Sequence, residues 1–123
     1  MMIRNIHKAI IALLLIGLPS VSFAKRYDVT LPEVASCLKT AQPGDRIYIK
    51  DGQYKDMQLK WIGKGTEKSP ITIEALNPGK VKVEGGSTLR IAGEWLSTSG
   101  LHFTAGYAPK GSVIEFRNGQ ELA

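Results

Sequence analysis

A chain that acts on another molecule has to supply charge, a proton carrier or a nucleophile, and this one holds few of these at close spacing. Asp51 and Asp56 bracket the stretch DGQYKD (51–56). A carboxylate pair can serve acid–base work or hold a cation, and Tyr54 between them carries a hydroxyl that can act as a base. The stretch lacks the succession of oxygen ligands that a calcium loop needs. Asp51 and Asp56 therefore read as solvated turn acids, and Tyr54 as a packing residue at a corner. His102 lies in LHF (101–103). If Leu101 and Phe103 face a core, strand alternation turns His102 outward, which suits a surface histidine better than a catalytic one. Cys37 is the only cysteine, so no intrachain disulfide forms. It falls in an apolar pattern with Val34, Leu38 and Ala41 and has no partner to activate it, which reads as a buried structural thiol.

The cations are more numerous. Lys50, Lys55, Lys60, Lys64, Lys68, Lys80 and Lys82 are spread over strands and turns. They can line a groove for an acidic polysaccharide or form an ordinary solvated surface. Trp61 and Trp95 can stack on sugars or pack in a core or corner. The formal net charge is +5, which suits a polyanionic partner and also plain solubility. No nucleic-acid partner is expected.

The first 24 residues read as a secretory signal. Arg4, His7 and Lys8 form a basic start. Ala9 to Leu18 is an apolar run of ten residues, too few for the roughly 20 that cross a bilayer. Pro19 breaks the run, and Ser22 and Ala24 place small residues where a signal peptidase reads them. The alternative is a retained membrane anchor. Cleavage after Ala24 leaves 99 residues starting at Lys25, with the charge lowered to +3 by loss of Arg4 and Lys8. That is enough for one modest domain; the expected product is exported, to the periplasm or the medium, with no membrane contact once the signal is removed.

Within that domain one helix is expected. Thr30 can cap it, Pro32 suits its first turn, and Glu33 complements its N-terminus. Val34, Leu38 and Ala41 follow helical spacing, and Gln42-Pro43-Gly44-Asp45 ends it. Short strands follow: 46–50, 57–61, 71–75, 81–84, 88–92, 95–97, 101–103 and 113–116, with glycines in nearly every gap. That pattern means an all-β protein, a sandwich, barrel or solenoid. Apolar strand patterns recur at 24 residues (Ile47 to Ile71), 20 (Val81 to Leu101) and 23 (Ile91 to Ile114), a period that fits one coil of a solenoid and that a sandwich also tolerates.

ITIEALNPGKVKVEGG (71–86) poses the central choice, because its two alternating strands look like a hairpin. The linker LNPG is not a two-residue Asn-Gly loop, and Pro78 makes it as good a corner as a reversal.

Together with DGQYKD, SPITIEALNPGKVKVEGG (69–86), LRIAGEWLSTSGLHFTAG (89–106) and VIEFRNG (113–119) resemble the N-terminal rungs of polysaccharide lyase family 6, which includes chondroitinase B and alginate lyases. The resemblance covers about residues 33–119. It implies a right-handed parallel β-helix of about four coils, capped by the short helix. In that fold Ile71, Ile73, Val81 and Val83 point inward, and Thr72, Glu74, Lys82 and Glu84 point outward. It also implies β-elimination on a uronate polymer, either alginate or chondroitin and dermatan sulfate. A lysine base, an arginine and a calcium ion held by acidic and amide side chains would serve that reaction, on rungs in the middle of a longer helix.

No position here matches those groups, so no catalytic, cofactor-binding or metal-ligating residue is assigned and no cofactor is expected in this stretch. The expectation is the N-terminal part of an exported lyase, cut short and inactive alone. The alternatives are a non-catalytic β-helix module that binds acidic polysaccharide at the cell surface, and a small all-β protein of unrelated function.

Overall fold

A strand whose alternate side chains are apolar must bury one face, and a strand with no hairpin partner must find its neighbour further along the chain. Both conditions are met here by winding. A computed structural model of the protein describes residues 24–109 and 111–117. The expected signal, residues 1–24, lies outside the described residues except for Ala24. Among the described residues, no helix is long and apolar enough to cross a membrane.

The strands are β1 (Arg26–Val29), β2 (Arg46–Ile49), β3 (Gly52–Lys55), β4 (Gln58–Lys64), β5 (Ile71–Ala75), β6 (Val81–Gly85), β7 (Thr88–Glu94), β8 (Leu96–Ser99), β9 (Leu101–Gly106) and β10 (Ile114–Arg117). They form three sheets in the orders β1-β2-β5-β8, β3-β6-β9 and β4-β7-β10. Every pairing is parallel. One strand from each sheet makes a coil, so β2-β3-β4, β5-β6-β7 and β8-β9-β10 are three successive turns of a right-handed parallel β-helix, with β1 ahead of them. The right hand is the one that parallel crossovers adopt.

This arrangement settles the status of residues 71–86. β5 pairs with β2 and β8, whereas β6 pairs with β3 and β9. They are two sides of one coil, and LNPG is the corner between them. Ile71, Ile73, Val81 and Val83 are all buried, and the intervening residues are half-exposed.

In-register pairing stacks like side chains in rows through the core. Ile47 lies beside Ile73, and Tyr54, Val83, Phe103 and Leu59, Leu89, Ile114 each form a row across three coils. The row Trp61, Ile91, Phe116 crosses three coils, with exposures of 0%, 6% and 79%. Two of the apolar recurrences read from the sequence are displaced. Ile47 meets Ile73 rather than Ile71, and Ile91 meets Phe116 rather than Ile114. A shift of two residues keeps every side chain on its own face, so the alternation alone cannot distinguish these registers. Val81 does meet Leu101.

The expected helix forms as a 3-10 turn, Leu31–Glu33, leading into α1 (Val34–Thr40). Thr30 donates both its N–H (3.2 Å) and its hydroxyl to Glu33 Oε1. Leu31, Val34 and Leu38 are buried against the first coils. Ala41 lies just past the helix, in extended backbone.

Two strands are additional to the expected set, β1 and β3. Trp95, expected inside a strand, instead occupies a corner with φ 53°. Gly93 shows how closely neighbouring coils approach. Its φ is 122°, and a Cβ there would lie 1.9 Å from the carbonyl oxygen of Gly63, so only glycine fits.

Candidate functional site

The corners between sheets bring together most of the polar side chains that the sequence offers for chemistry. At the first corner, Asn77 Nδ2 donates to both carboxylate oxygens of Asp51, at 3.0 and 3.1 Å. At the second, Asp56 sits in the left-handed region (φ 55°). Its Oδ1 accepts the Gly86 N–H at 2.7 Å, and its own N–H donates to Glu84 O at 3.1 Å. Beside it, Ser87 accepts the Met57 N–H (2.9 Å) and donates to Glu84 O (2.6 Å). Gln58 donates to Gly86 O (2.8 Å) and accepts from the Thr88 hydroxyl (2.6 Å).

Asp51 and Asp56 are thus not merely solvated turn acids. Each braces its corner to the corner one coil further on. Sequence reasoning misses this because the partners are remote in the chain.

Tyr54 is half-buried against the core, and its hydroxyl donates to Lys50 O at 3.4 Å, a packing role at the corner. Asp45 was not singled out in the sequence, yet it is 1% exposed. Its carboxylate accepts the N–H groups of Lys25 (2.9 Å) and Gln42 (2.8 Å), fastening β1 to the end of α1. The available signal was its place in the turn that ends the helix. Cys37 is half-buried rather than buried. Desolvation, then the charges of Asp45 and Glu33, push its thiol up, so the nucleophilic thiolate is disfavoured.

The two tryptophans part company. Trp61 is fully buried and its Nε1 meets no acceptor among the described residues, whereas Trp95 is 53% exposed. His102 is exposed on β9, beside Lys82 of β6.

The described acids do not fit a calcium site. Among the described residues, no group of three or more His, Cys, Asp or Glu side chains converges on one point. Asp51, Asp56 and Asp45 are spent on backbone and amide donors.

The charged groups differ from sheet to sheet. On β1-β2-β5-β8, Arg26 Nε donates to Asp28 at 2.9 Å and its guanidinium lies 4.3 Å from the centre of the Tyr48 ring. On β4-β7-β10, Arg117 (2.8 Å) and Arg90 (3.4 Å) both reach Glu115 Oε2, and Lys64 lies 3.9 Å from Glu94. The Arg117 bond first, then its charge and Arg90, hold the Glu115 carboxyl below its usual range. On β3-β6-β9 and the corner leading into it, Lys50, Lys55, Lys80 and Lys82 make no ion pair among the described residues, and neither do Arg46 on β2 and Lys60 on β4.

At the end formed by β8, β9 and β10 lies an apolar cleft of about 270 Å³ lined by Leu89, Ile91, Phe103, Ile114 and Phe116. Its walls are inward-facing core positions with no described residue over them, so it is an end of the core rather than a polar reaction site.

The comparisons with known proteins agree with this architecture. The chondroitinase B family model matches residues 29–123. The PL6 family alginate lyase AlyGC is 42% identical over 72% of this chain, with a TM-score of 0.67. The PL6 family polysaccharide lyase Pedsa3628 from Pseudopedobacter saltans is 33% identical over 75% of it, at 0.67. A mannuronic acid specific polysaccharide family 6 lyase from human gut microbiota is 31% identical over 80% of it, also at 0.67. The chain spans only 12%, 21% and 23% of these three proteins. No curated protein matches. By its coils, its family model and its identity to these enzymes, the chain belongs to the chondroitinase B family, polysaccharide lyase family 6.

Proposed function

We propose that the chain is part of an exported lyase that cleaves a uronate-containing polymer by β-elimination, with alginate as the first substrate to test and chondroitin or dermatan sulfate as the second. The observation that carries the reading is the 42% identity to an alginate lyase over 72% of the chain, within a family match over residues 29–123. In this reaction the carbon beside the uronate carboxylate loses a proton and the glycosidic oxygen across the new double bond leaves. Both steps need a positive charge at the carboxylate and a base at the proton.

In this reading the described residues contribute scaffold: a capped end on which further coils stack in register. Export follows from the signal-like segment, with the mature chain starting at Lys25.

Elimination leaves an unsaturated sugar end that absorbs ultraviolet light. The 123-residue chain, incubated with alginate and with dermatan sulfate, is expected to give little or no absorbance rise. Robust turnover would overturn the assignment of this stretch as scaffold. Binding without turnover fits the scaffold reading and equally a non-catalytic module, which the unpaired lysines of β3-β6-β9 favour.

A further inference from the structure

We infer that removal of the leader tightens the fold: hydrolysis of the Ala24–Lys25 bond turns the Lys25 nitrogen from a neutral donor into an ammonium that pairs with the buried carboxylate of Asp45. The inference rests on the exported-lyase reading above, which starts the mature chain at Lys25, and states what that cut does to the folded chain.

Asp45 is the only acid or base buried among the described residues, at 1% exposed. Asp51 and Asp56, the acids at the other corners, are exposed, so water serves them. A carboxylate taken out of water is costly unless a cation meets it. Among the described residues no lysine or arginine side chain lies within ion-pair reach of Asp45. Its oxygens accept two neutral backbone donors, the Lys25 N–H at 2.9 Å on Oδ1 and the Gln42 N–H at 2.8 Å on Oδ2. Its charge is felt nearby: after desolvation, Asp45 is the largest push on the Cys37 thiol of α1.

The Lys25 nitrogen is held from the other side as well. Lys25 O accepts the Arg46 N–H at 2.8 Å, just ahead of the register in which Arg26 meets Arg46. The bond to be cut lies immediately outside this ladder. β1 begins at Arg26, and Ala24 is exposed. In the cut, water adds its hydroxyl to the Ala24 carbonyl and a hydrogen to the Lys25 nitrogen. The new acid at Ala24 gives its proton to that nitrogen and departs with the leader as a carboxylate. One of the three ammonium protons takes the place of the amide N–H on Asp45 Oδ1, and the others face solvent. A free α-amino group titrates near about 8, so it is charged at neutral pH. The neutral bond becomes a charge-assisted one, which is the stronger kind. The chain with its leader keeps a buried acid without a counter-ion; the exported chain gains one.

The test begins with the 123-residue chain expressed in an exporting bacterium, where intact mass reads the start of the exported product. A start at Lys25 is expected; any other start overturns the processing reading and this inference with it. Two chains are then prepared, one starting at Lys25 and one at Ser22, which keeps the Lys25 amide N–H and moves the ammonium three residues off. Both retain every described strand and helix, and far-ultraviolet circular dichroism confirms that each folds. Thermal midpoints are measured with Asp45 and with Asp45→Asn. The Lys25 start should melt about 5 °C or more above the Ser22 start, and Asp45→Asn should erase that gap. Equal midpoints of the two unsubstituted chains, or a gap that survives Asp45→Asn, overturn the ion pair and leave the exported-lyase reading standing. Because Asp45→Asn also disturbs the bond from Gln42 and can unfold the chain, a second measurement stands without it. Near neutral pH the α-amine of the Lys25 start should be acylated about threefold more slowly than that of the Ser22 start, since pairing holds it protonated. Equal rates overturn the pair.

Discussion

The two ends of the coil stack are built from the same residue types and meet opposite fates. At the first, Leu31, Val34 and Leu38 lie over the opening coils and are 0–4% exposed. At the other, Ile114 and Phe116 are 44% and 79% exposed, with no further layer of described residues over them. The row Trp61, Ile91, Phe116 runs from one condition to the other within a single sheet. Burial in this fold is therefore not a property of a strand's own pattern. It is conferred by the coil on either side, as expected of a structure in which each repeat contacts only its neighbours.

The largest effect that can break this comparison is in that row. Trp61→Ala is expected to cost about 3–5 kcal/mol, because it empties a site closed on every side. Phe116→Ala, with the same inward direction and nothing above it, is expected to change stability by less than about 0.5 kcal/mol. Urea unfolding of the two variants measures both. Comparable losses would mean that Phe116 is covered and the contrast between the ends is false.

The next effect sharpens the role of the corners. Asp56→Ala strips the acceptor from the Gly86 N–H and places a Cβ-bearing residue with no side-chain hydrogen bond in the left-handed region. The expected loss is about 1–3 kcal/mol. Asp56→Asn keeps an acceptor and tolerates that backbone, so it should retain most of the stability. If both variants unfold at the wild-type midpoint, the brace contributes nothing.

The smallest effect concerns acid. The Thr30 hydroxyl, and then its N–H, hold Glu33 below its usual carboxylate range at the capped end; Arg117 does the same for Glu115 at the open end. A carboxyl whose folded pKa is depressed adds stability that is present above its unfolded pKa and is lost as pH falls through the folded one. The thermal midpoint should therefore drop as pH falls below about 4.5, and Glu33→Gln should shallow that limb. Glu33 is exposed and Glu115 half-buried, and solvent screens both, so the change is slight. An acid limb identical in wild type and Glu33→Gln would remove the Thr30–Glu33 pair from the account.

Much of this was legible before the fold was known. The alternation of Ile71, Ile73, Val81 and Val83 declared an inner face, and LNPG declined to be a hairpin loop. Thr30, Pro32 and Glu33 marked the helix start. β3 was hidden because Asp51-Gly52 signals a turn and the four residues that follow offer only Tyr54 to pack. β1 carries Arg26 and Asp28 among its four residues and has no local sign that β2 is its neighbour. The Asp56–Gly86 bond joins positions one coil apart, which no short-range pattern reveals. Trp61 and Trp95 are the same residue type, and only the corner at φ 53° separates core from surface.

The position of α1 has a consequence for the order of events in folding. Partners here are a coil apart, so every coil closes a loop of similar size at similar entropic cost, and none can pair before its predecessor is laid down. The lid over the first coil precedes β2 to β10 in the chain, so it leaves the ribosome before the coils it covers. During synthesis each coil that pairs as it emerges adds to the capped end, like a zipper stitched from its closed end. A growing row of unpaired strand edges and bare apolar side chains travels forward with each turn completed. That moving front, rather than any fixed site, is where a half-made chain is most exposed to pairing with the wrong neighbour.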